Sequence, residues 1–163
     1  MKYLIASDIH GSAYYCALLM GDLLYHGARN PLPRDYSTLK TAEILNSMKE
    51  HILCVRGNCD SDVDTLVLEF PIVADYAILP AAGRTLVLTH GHRTYGVLSG
   101  SDVLVNGHFH VPAFEQREGH LYVNCGSVSI PKENSPHSYL VLEDGKLLWK
   151  DVETGAVFKR AEL

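Results

Sequence analysis

The stretch Leu18-Leu19-Met20-Gly21-Asp22 joins three apolar residues to a glycine and a carboxylate. This profile is typical of a buried strand that ends at a functional site, with a small residue where the backbone approaches another group. A Gly-Asp pair alone is not specific, because the same pair is common in turns. The inference depends on whether other apolar runs of the chain end in the same way, and four others do.

The other four apolar runs are each followed by side chains that can bind a metal. Asp8 and His10 follow Lys2–Ala6, Asn58 follows Ile52–Val55, His90 follows Thr85–Leu88, and His108 and His110 follow Asp102–Val105. In extended backbone the two members of Asp-x-His or His-x-His point to the same side, because a strand repeats every two residues. Ligands of open α/β sheets bind beyond the carboxyl ends of the strands, so the five runs predict one shared site.

The composition is that of an ordinary globular protein. With 163 residues, 47% hydrophobic and 20% charged, the sequence predicts a single domain over residues 1–163. The net charge of -5 and the lack of a Lys/Arg cluster argue against non-specific binding to nucleic acid or to an anionic membrane surface. No apolar run approaches the ~20 residues of a membrane span.

The four cysteines predict a reducing compartment. Cys16, Cys54, Cys59 and Cys125 form no Cys-x-x-Cys pair, so they are interpreted as reduced thiols of a cytoplasmic protein. The N-terminal segment Lys2–Ala6 is too short for the core of a signal peptide and predicts a strand.

The clearest helix is predicted over Thr38–Glu50. Four of its apolar residues recur at steps of three residues, namely Leu39, Ala42, Leu45 and Met48, and Ile44 widens the stripe. They are interpreted as the face of the helix that packs on the core. Ile72–Ile78 is a predicted strand, followed by a hairpin turn at residues 81–84. The C-terminal part predicts antiparallel strands with one solvent-facing side, at Leu121–Val123, Ser138–Leu142, Lys146–Trp149 and Ala156–Lys159.

The connection between the first two runs is too short for a usual crossover. Only residues 12–16 separate Gly11 from Ala17, whereas parallel neighbours need a dozen or more connecting residues. Either these strands pair in an unusual way or a segment is missing there. We favour the second explanation and expect a chain break between Gly11 and Ala17.

The donor atoms indicate the kind of metal. Carboxylate and amide oxygens with imidazole nitrogens suit Mn, Fe, Zn, Co or Ni, rather than a Cys-rich structural zinc site or an all-oxygen calcium site. Seven ligands are too many for one catalytic metal that must keep open positions. They fit two metals that share a bridging carboxylate.

The ordered motifs Asp-x-His, Gly-Asp, Gly-Asn-Cys-Asp, Thr-His-Gly-His and Gly-His-x-His resemble those of the calcineurin-like metallophosphoesterase superfamily. The closest resemblance is to small bacterial phosphodiesterases of the YfcE type. It extends through Tyr25–Pro33, Val55–Val63 and Gly126–Lys132, and so covers most of the chain.

The resemblance implies an α/β fold, a four-layer α/β/β/α sandwich with a dimetal site at the carboxyl ends of the strands. It implies that Asp8, His10 and His110 hold the first metal, that Asn58, His90 and His108 hold the second, and that Asp22 bridges them. The expected cofactors are two divalent transition metals, Mn first, with Zn, Fe, Ni or Co as alternatives. Such a pair clamps a phosphodiester and generates hydroxide for in-line attack on phosphorus, while the neutral ligand Asn58 keeps the site positive.

Cys59 is a departure from the wider superfamily, in which many members have His after the Gly-Asn pair, where it can assist the leaving group. A thiol is a poor general acid, so a good leaving group or a metal-bound water could replace protonation by Cys59. The alternative is that Cys59 only packs. We take Asp22, Asn58 and Cys59 as the candidate catalytic residues. Arg29, His26 and His92 are candidate substrate contacts, each with a surface or supporting role as the alternative.

A second departure concerns length. Relative to the family, the segment between Gly11 and Ala17 is short by about a helix, and the loop between His92 and Asp102 is short by a few residues.

Three other functions are compatible with parts of this motif set. A phosphomonoesterase would use the same metal clamp, so the motifs do not separate it from a phosphodiesterase. A non-catalytic scaffold, like the retromer subunit of this superfamily, is disfavoured because all seven ligand positions are filled. A metallo-β-lactamase-type hydrolase needs His-x-His-x-Asp-His, which Val111-Pro112-Ala113 does not supply. The expected partner is a small phosphodiester, and homo-oligomerisation stays open.

Overall fold

Two β-sheets form the frame of the molecule. The computed structural model describes residues 2–11, 20–93, 98–99 and 102–163. Its strands are β1 (Lys2–Ile5), β2 (Tyr76–Ala81), β3 (Arg84–Thr89), β4 (Asp102–Asn106), β5 (Ala113–Arg117), β6 (His120–Asn124), β7 (Ser138–Glu143), β8 (Lys146–Asp151) and β9 (Val157–Glu162). One sheet has the order β1-β7-β8-β9 and the other has the order β2-β3-β4-β6-β5.

The two sheets differ in strand direction. All pairs of the four-stranded sheet are antiparallel. In the five-stranded sheet β3, β4 and β6 are parallel, and β2 and β5 are antiparallel strands at its edges. Because β3 and β4 are parallel and Leu88 pairs with Val105, the segments that follow them leave the sheet side by side. The Gly107 N–H then donates to the His90 carbonyl over 3.0 Å.

The main core lies between the sheets. The first sheet contributes Ile5, Leu140, Leu142, Leu147 and Trp149, and the second contributes Leu86, Leu88, Val103, Val105, Leu121 and Val123. Trp149 is fully buried, and its indole N–H donates to the Asn124 carbonyl over 2.7 Å. Each such apolar side chain stabilises the fold by about 1.5–3 kcal/mol when buried.

A helix covers the other face of the first sheet. Helix α1 (Thr38–Asn46) begins after Ser37, whose side chain accepts the Lys40 N–H. Its buried residues Ala42 and Leu45 belong to a second apolar cluster that includes Ile9, Leu23 and Val128. Two 3-10 turns follow, at Lys49–His51 and Asp64–Leu66.

The predicted helical stripe is partly wrong. The helix ends at Asn46 instead of Glu50, and Leu39 is 69% exposed and Ile44 36% exposed. Successive steps of three residues drift around a helix with 3.6 residues per turn, so Leu39 and Leu45 lie about 120° apart. The buried face is instead made by Thr41, Ala42 and Leu45.

The strand predictions succeed best near hairpins. The turn at residues 81–84 joins β2 to β3, and the four C-terminal strands form as β6 to β9. The predicted strand at Ile72–Ile78 is shifted to β2, and β5 was missed. Ile52–Val55 is not a strand, because it forms no ladder with any described strand, although Cys54 and Val55 are buried.

The first sheet has a helix on its outer face, and the two sheets form the central layers that the sequence predicted. No α-helix covers the outer face of the second sheet within the described residues. In that same part of the chain, no helix is long and apolar enough to cross a lipid bilayer.

The predicted break between Gly11 and Ala17, and most of the strand expected before Asp22, lie outside the described residues. Met20 itself is not in a strand. The described segments on either side of residues 12–19 run parallel. Asp8 N–H donates to the Gly21 carbonyl over 3.2 Å and His10 N–H to the Asp22 carbonyl over 2.9 Å. This pairing brings two predicted metal ligands, Asp8 and Asp22, together.

Candidate metal centre

The seven predicted metal ligands meet beyond the carboxyl ends of β1, β3 and β4. Asp8, His10 and His90 are fully buried, whereas Asp22 is 2% and His110 3% exposed. Three groups of these residues and Cys59 bring possible ligand atoms within 4.8 Å of one another: Asp8, His10 and His110; Asp8, Asp22 and His90; and His10, Asp22 and Cys59.

Asp8 is the centre of the first group. Its Oδ1 lies 3.1 Å from His110 Nε2 and 3.7 Å from His10 Nε2. Donor atoms that bind one cation at about 2.0–2.2 Å are separated from each other by about 3 Å or slightly more. The three side chains therefore have the spacing of ligands around one cation.

His90 is the centre of the second group. Its Nε2 lies 3.3 Å from Asp22 Oδ2, 3.2 Å from Asn58 Oδ1 and 3.3 Å from His108 Nδ1. Asp22 Oδ2 also lies 4.0 Å from His10 Nε2. The Asp22 carboxylate thus faces histidines of both groups, which is the position that a bridging ligand requires.

Backbone carbonyls orient three of the histidines. Nδ1 of His10 faces the Tyr25 carbonyl at 2.9 Å, Nδ1 of His90 faces the Met20 carbonyl at 3.0 Å, and Nδ1 of His110 faces the Ile130 carbonyl. A carbonyl only accepts, so each Nδ1 carries a hydrogen, and each Nε2 faces the carboxylates, where it can bind a metal once it carries no proton. This arrangement is typical of metal-binding histidines.

The ligand-bearing backbone is left-handed rather than extended. The φ angles are 59° at Asp8, 49° at His10, 54° at Asp22, 62° at His108 and 64° at His110. The expectation that Asp-x-His and His-x-His align their side chains by strand alternation is therefore wrong. β1 ends at Ile5 and β4 at Asn106, so these motifs lie in loops whose tertiary contacts set the side-chain directions.

Glycines allow these loops to approach each other. A Cβ at Gly57 would lie 2.1 Å from Asp22 Oδ1, and a Cβ at Gly107 would lie 2.8 Å from Asp8 Oδ2. A side chain at Gly57 would displace the Asp22 carboxylate, and one at Gly107 would overlap Ser7, whose Oγ would lie 1.9 Å away, and crowd the Asp8 carboxylate. The small residues that the sequence places before the ligands are thus required by close approach.

The buried carboxylates require nearby positive charge. Burial alone would raise the pKa of Asp8, but His110, His90 and His10 hold it well below its usual range. Burial opposes protonation of His90, yet the neighbouring Asp22 and Asp8 carboxylates raise its pKa to about 9. In the metal-free protein, a protonated His90 balances the negative charge of the Asp8 and Asp22 carboxylates. Bound divalent cations would take over this role.

Two buried potential ligand atoms support the fit of this site to a metal ion. Asp8 Oδ1 and His10 Nε2 have no hydrogen-bond partner among the described residues. Buried polar atoms without a partner are costly, and a metal ion would satisfy both. The mixture of imidazole, carboxylate and amide donors fits a divalent transition metal.

Several supporting residues were not recognised from the sequence. The Asp60 carboxylate accepts the N–H groups of Asp22 at 2.9 Å, Leu23 at 2.7 Å and Gly57 at 2.8 Å. The Asp8 carbonyl accepts hydrogen bonds from the hydroxyls of Ser127 and Ser129. Asp60 is the last residue of the Gly-Asn-Cys-Asp motif, so its place there was the available signal.

Cys59 contacts the centre through both its backbone N–H and its thiol. Its N–H donates to Asp22 Oδ1 over 2.8 Å, and its Sγ lies 3.2 Å from Asn58 Nδ2. Burial, followed by the Asp22 carboxylate, raises the pKa of the thiol above its usual range. The thiol therefore stays protonated at neutral pH in the metal-free protein.

A cavity of about 500 Å³ opens onto the centre, a size typical of small-molecule sites. The described residues that line it are Asp22, Gly27, Ala28, Arg29, Asn30, Asn58, Cys59, His108, His110 and Lys132.

The three candidate substrate contacts occupy different places. Arg29 lines the cavity. His26 packs against the rings of Tyr25 and Tyr36 at 4.8 and 5.2 Å. The His92 ring is 5.5 Å from the His90 ring, and burial, followed by His90, lowers the pKa of His92.

Comparison with known proteins gives a consistent family assignment. The model of the calcineurin-like phosphoesterase superfamily domain matches residues 1–145. The chain is 42% identical over 165 residues to phosphodiesterase YfcE of Escherichia coli (strain K12), with 90% of each protein covered. A solved structure of the E. coli phosphoesterase YfcE matches with a TM-score of 0.91 and 38% identity over 99% of both chains.

A more distant match shares the fold. The structure of vacuolar protein sorting 29 from Cryptosporidium parvum matches with a TM-score of 0.53 and 22% identity, covering 89% of this chain and 95% of the other. At that identity the likeness concerns the fold alone.

Proposed function

This chain belongs to the calcineurin-like phosphoesterase superfamily, and on that premise we propose that it is a two-metal phosphodiesterase. The observation that carries the proposal is the position of the Asp22 carboxylate between the two groups of ligands, with Oδ2 4.0 Å from His10 Nε2 and 3.3 Å from His90 Nε2. Its 42% identity to a protein named phosphodiesterase YfcE supports the choice of a diester over a monoester.

The proposed ligand sets follow the two groups of side chains. Asp8, His10 and His110 hold one metal, Asn58, His90 and His108 hold the other, and Asp22 is shared by both. When bound, two divalent cations supply a clamp for the phosphoryl group, neutralise its developing charge and lower the pKa of water so that hydroxide forms near neutral pH. We propose Mn as the first choice because the donors are nitrogen and oxygen, with Zn, Fe, Ni and Co as the other candidates.

The residues of this chain prepare the site for that chemistry. The Tyr25, Met20 and Ile130 carbonyls hold three imidazoles in the tautomer that binds metal. Asn58 contributes a neutral oxygen, so the centre keeps positive charge for an anionic substrate. Arg29, on the cavity wall, contacts the anionic substrate, whereas His92 and His26 support the shape of the site.

Cys59 holds Asp22 through its backbone N–H, and its protonated thiol offers a weak donor towards the leaving group. A substrate with a good leaving group would need little more. We further propose that the protein forms one domain over residues 1–163 and acts in the cytoplasm on a small diester. The described cysteines Cys54, Cys59 and Cys125, all free thiols, support that compartment.

The decisive experiment compares hydrolysis of bis-p-nitrophenyl phosphate with that of p-nitrophenyl phosphate. Metal-stripped protein is reconstituted with Mn alone and with each other candidate metal. We expect the Mn-loaded protein to prefer the diester. Asp22→Asn and His108→Ala should each lower kcat/KM for the diester by a factor on the order of a thousand, because a ligand of the clamp is lost.

The control is Lys40→Gln, which removes an exposed charge on α1, an element that carries none of the proposed ligands. Fluorescence of the buried Trp149 checks that each variant is folded. A preference for the monoester would replace the proposal by a phosphomonoesterase. Near-normal diester turnover in either ligand variant would exclude the two-metal assignment.

A further inference from the structure

The cavity beside the metal centre contains more positive charge than metal binding explains. Apart from the predicted metal ligands, its described lining residues include two with a charged side chain, Arg29 and Lys132. Both are exposed, and neither forms an ion pair with a described residue. Among the described lining residues, Asp22 supplies the single carboxylate, and that group faces the histidines.

Lys132 is fixed to the segment that orients a metal ligand. The His110 Nδ1 faces the Ile130 carbonyl, and the Lys132 N–H donates to the His110 carbonyl over 3.2 Å. The Ser135 hydroxyl then donates to the Lys132 carbonyl over 2.7 Å. The backbone of Lys132 is therefore tied to the His110 loop, although its side chain reaches into solvent.

Arg29 is attached in a similar way on another segment. The His10 Nδ1 faces the Tyr25 carbonyl at 2.9 Å, and the turn that follows it is closed by Asn30, whose side chain donates to the His26 carbonyl over 2.9 Å. A Cβ at Gly27 in this turn would lie 3.1 Å from Cys59 Sγ, so the turn packs against the centre. The rings of His10 and His110 stack at 5.4 Å. Arg29 and Lys132 therefore each lie just after the segment whose carbonyl orients a ligand, His10 for Arg29 and His110 for Lys132, and these two ligands are neighbours.

The cavity offers little apolar surface to a substrate. Ala28 and Cys59 are the apolar side chains among its described lining residues, and both are small. A long acyl chain would find no hydrophobic wall there, whereas an additional anion would find two cations. The net charge of the chain is -5, so this local positive charge contrasts with the overall field.

We infer that the substrate is a small polar phosphodiester that carries a second anionic group, a phosphate or a carboxylate, and that Arg29 and Lys132 bind this group beside the metal centre. This inference rests on the proposed phosphodiesterase function. Lys132 is then a specificity-determining residue, because it recognises the part of the substrate that is not cleaved. An exposed cation in water contributes little alone, so the two act together and their effect is screened by salt.

The test uses two activated diesters with the same leaving group. Propyl p-nitrophenyl phosphate and 2-carboxyethyl p-nitrophenyl phosphate have similar size and differ in one carboxylate. With the Mn-loaded protein at low ionic strength, we expect kcat/KM to be about tenfold higher for the carboxylate-bearing diester. The preference should decrease as salt is added.

The variants assign this preference to the two cations. Lys132→Gln and Arg29→Gln should each reduce the ratio of the two kcat/KM values, and the double variant should bring it close to one. Lys40→Gln removes an exposed positive charge on α1 and should leave the ratio unchanged. Equal use of the two diesters by the unmodified protein, or an unchanged ratio in the double variant, would overturn the inference.

A failure of the proposed function gives a different result. If neither diester is hydrolysed, that function is excluded, and calorimetric binding of the same two compounds then decides the charge selectivity. Tighter binding of the carboxylate-bearing compound to the unmodified protein than to the double variant supports the role of the cations. Equal binding overturns it.

Discussion

Five of the seven proposed ligands have a left-handed backbone conformation, which residues other than glycine rarely adopt. Each such residue costs on the order of 1–3 kcal/mol and persists only where its surroundings hold it. Here Ser127 and Ser129 hold the Asp8 carbonyl, and Asp60 holds the backbone of Asp22. The geometry of the metal ligands therefore depends on residues that do not themselves bind a metal.

Gly57→Ala should remove the shared ligand from its position. Gly57 does not have a positive φ, so the methyl group acts through space alone, where it would lie 2.1 Å from Asp22 Oδ1. We expect loss of at least one bound Mn, measured by metal analysis after gel filtration. Gly155→Ala is the control, because its φ is 69° but no atom lies within 4 Å of the added methyl group. Full metal content in Gly57→Ala would contradict the placement of Asp22.

Asp60→Asn should weaken metal binding without touching a ligand. The carboxylate accepts hydrogen bonds from three backbone N–H groups. In the Asp60→Asn variant one of its oxygens is replaced by an NH2 group, which is a donor and cannot accept them. We expect metal affinity to fall about 10–100-fold, as for other residues that orient ligands, and the free energy of unfolding to fall by about 1–3 kcal/mol. Calorimetric titration with Mn measures the change in metal affinity.

Asp62→Asn is the matched control for this change. Asp62 lies two residues away, and its side chain is 92% exposed beside Arg56. The affinity of the Asp62→Asn variant for Mn should stay within a factor of two of that of the unmodified protein. An equal loss in both variants would show that general charge, and not the three hydrogen bonds, controls the site.

At the scale of the elements, strand ends carry more functional information than strand interiors. The parallel pair β3 and β4 delivers His90 and the Gly-His-x-His segment side by side, and the Gly107 N–H closes the gap between them. Helix α1 contributes no ligand, and its role is to cover the first sheet through Ala42 and Leu45. Stability and chemistry are thereby assigned to different elements.

The helix allows a test of this separation. Leu45→Ala removes a fully buried side chain and should lower the free energy of unfolding by about 2–5 kcal/mol. Leu39→Ala removes the same atoms from a position that is 69% exposed and should change it by less than about 0.5 kcal/mol. Urea unfolding followed by Trp149 fluorescence measures both, and similar losses would contradict the observed helix face.

At the scale of the whole molecule, metal binding and folding are coupled. The fully buried Asp8 and the nearly buried Asp22 are stable in the metal-free protein only with protonated or polar neighbours. Metal ions bind the folded site and not the unfolded chain, so they shift the folding equilibrium.

Chelation should therefore lower the thermal stability. At a Mn concentration of 1,000 times Kd, one bound ion stabilises the folded state by about 4 kcal/mol, so EDTA should decrease Tm by several degrees. The transition is followed by fluorescence of Trp149, the single tryptophan. Asp22→Asn should show a much smaller decrease. A Tm that does not respond to Mn or EDTA in the unmodified protein would argue against the metal centre.

The sequence by itself determined the chemistry. Five motifs in order predicted the seven side chains that meet in space, because their types and spacing depend on what a metal and a sheet edge require. The two-sheet frame was implied by the resemblance of these motifs to a known superfamily. The sequence also located the hairpins and C-terminal strands, since turn residues and alternation are local signals.

Only the tertiary structure decided how these residues come together. The ligands are not aligned by strand alternation but by left-handed loops, which carbonyls from distant segments and Asp60 hold in place. The orientation of α1 and the position of Lys132 on the cavity wall were likewise absent from any local pattern. The physical reason is that such contacts join residues far apart in the chain, and short-range periodicity contains no information about them.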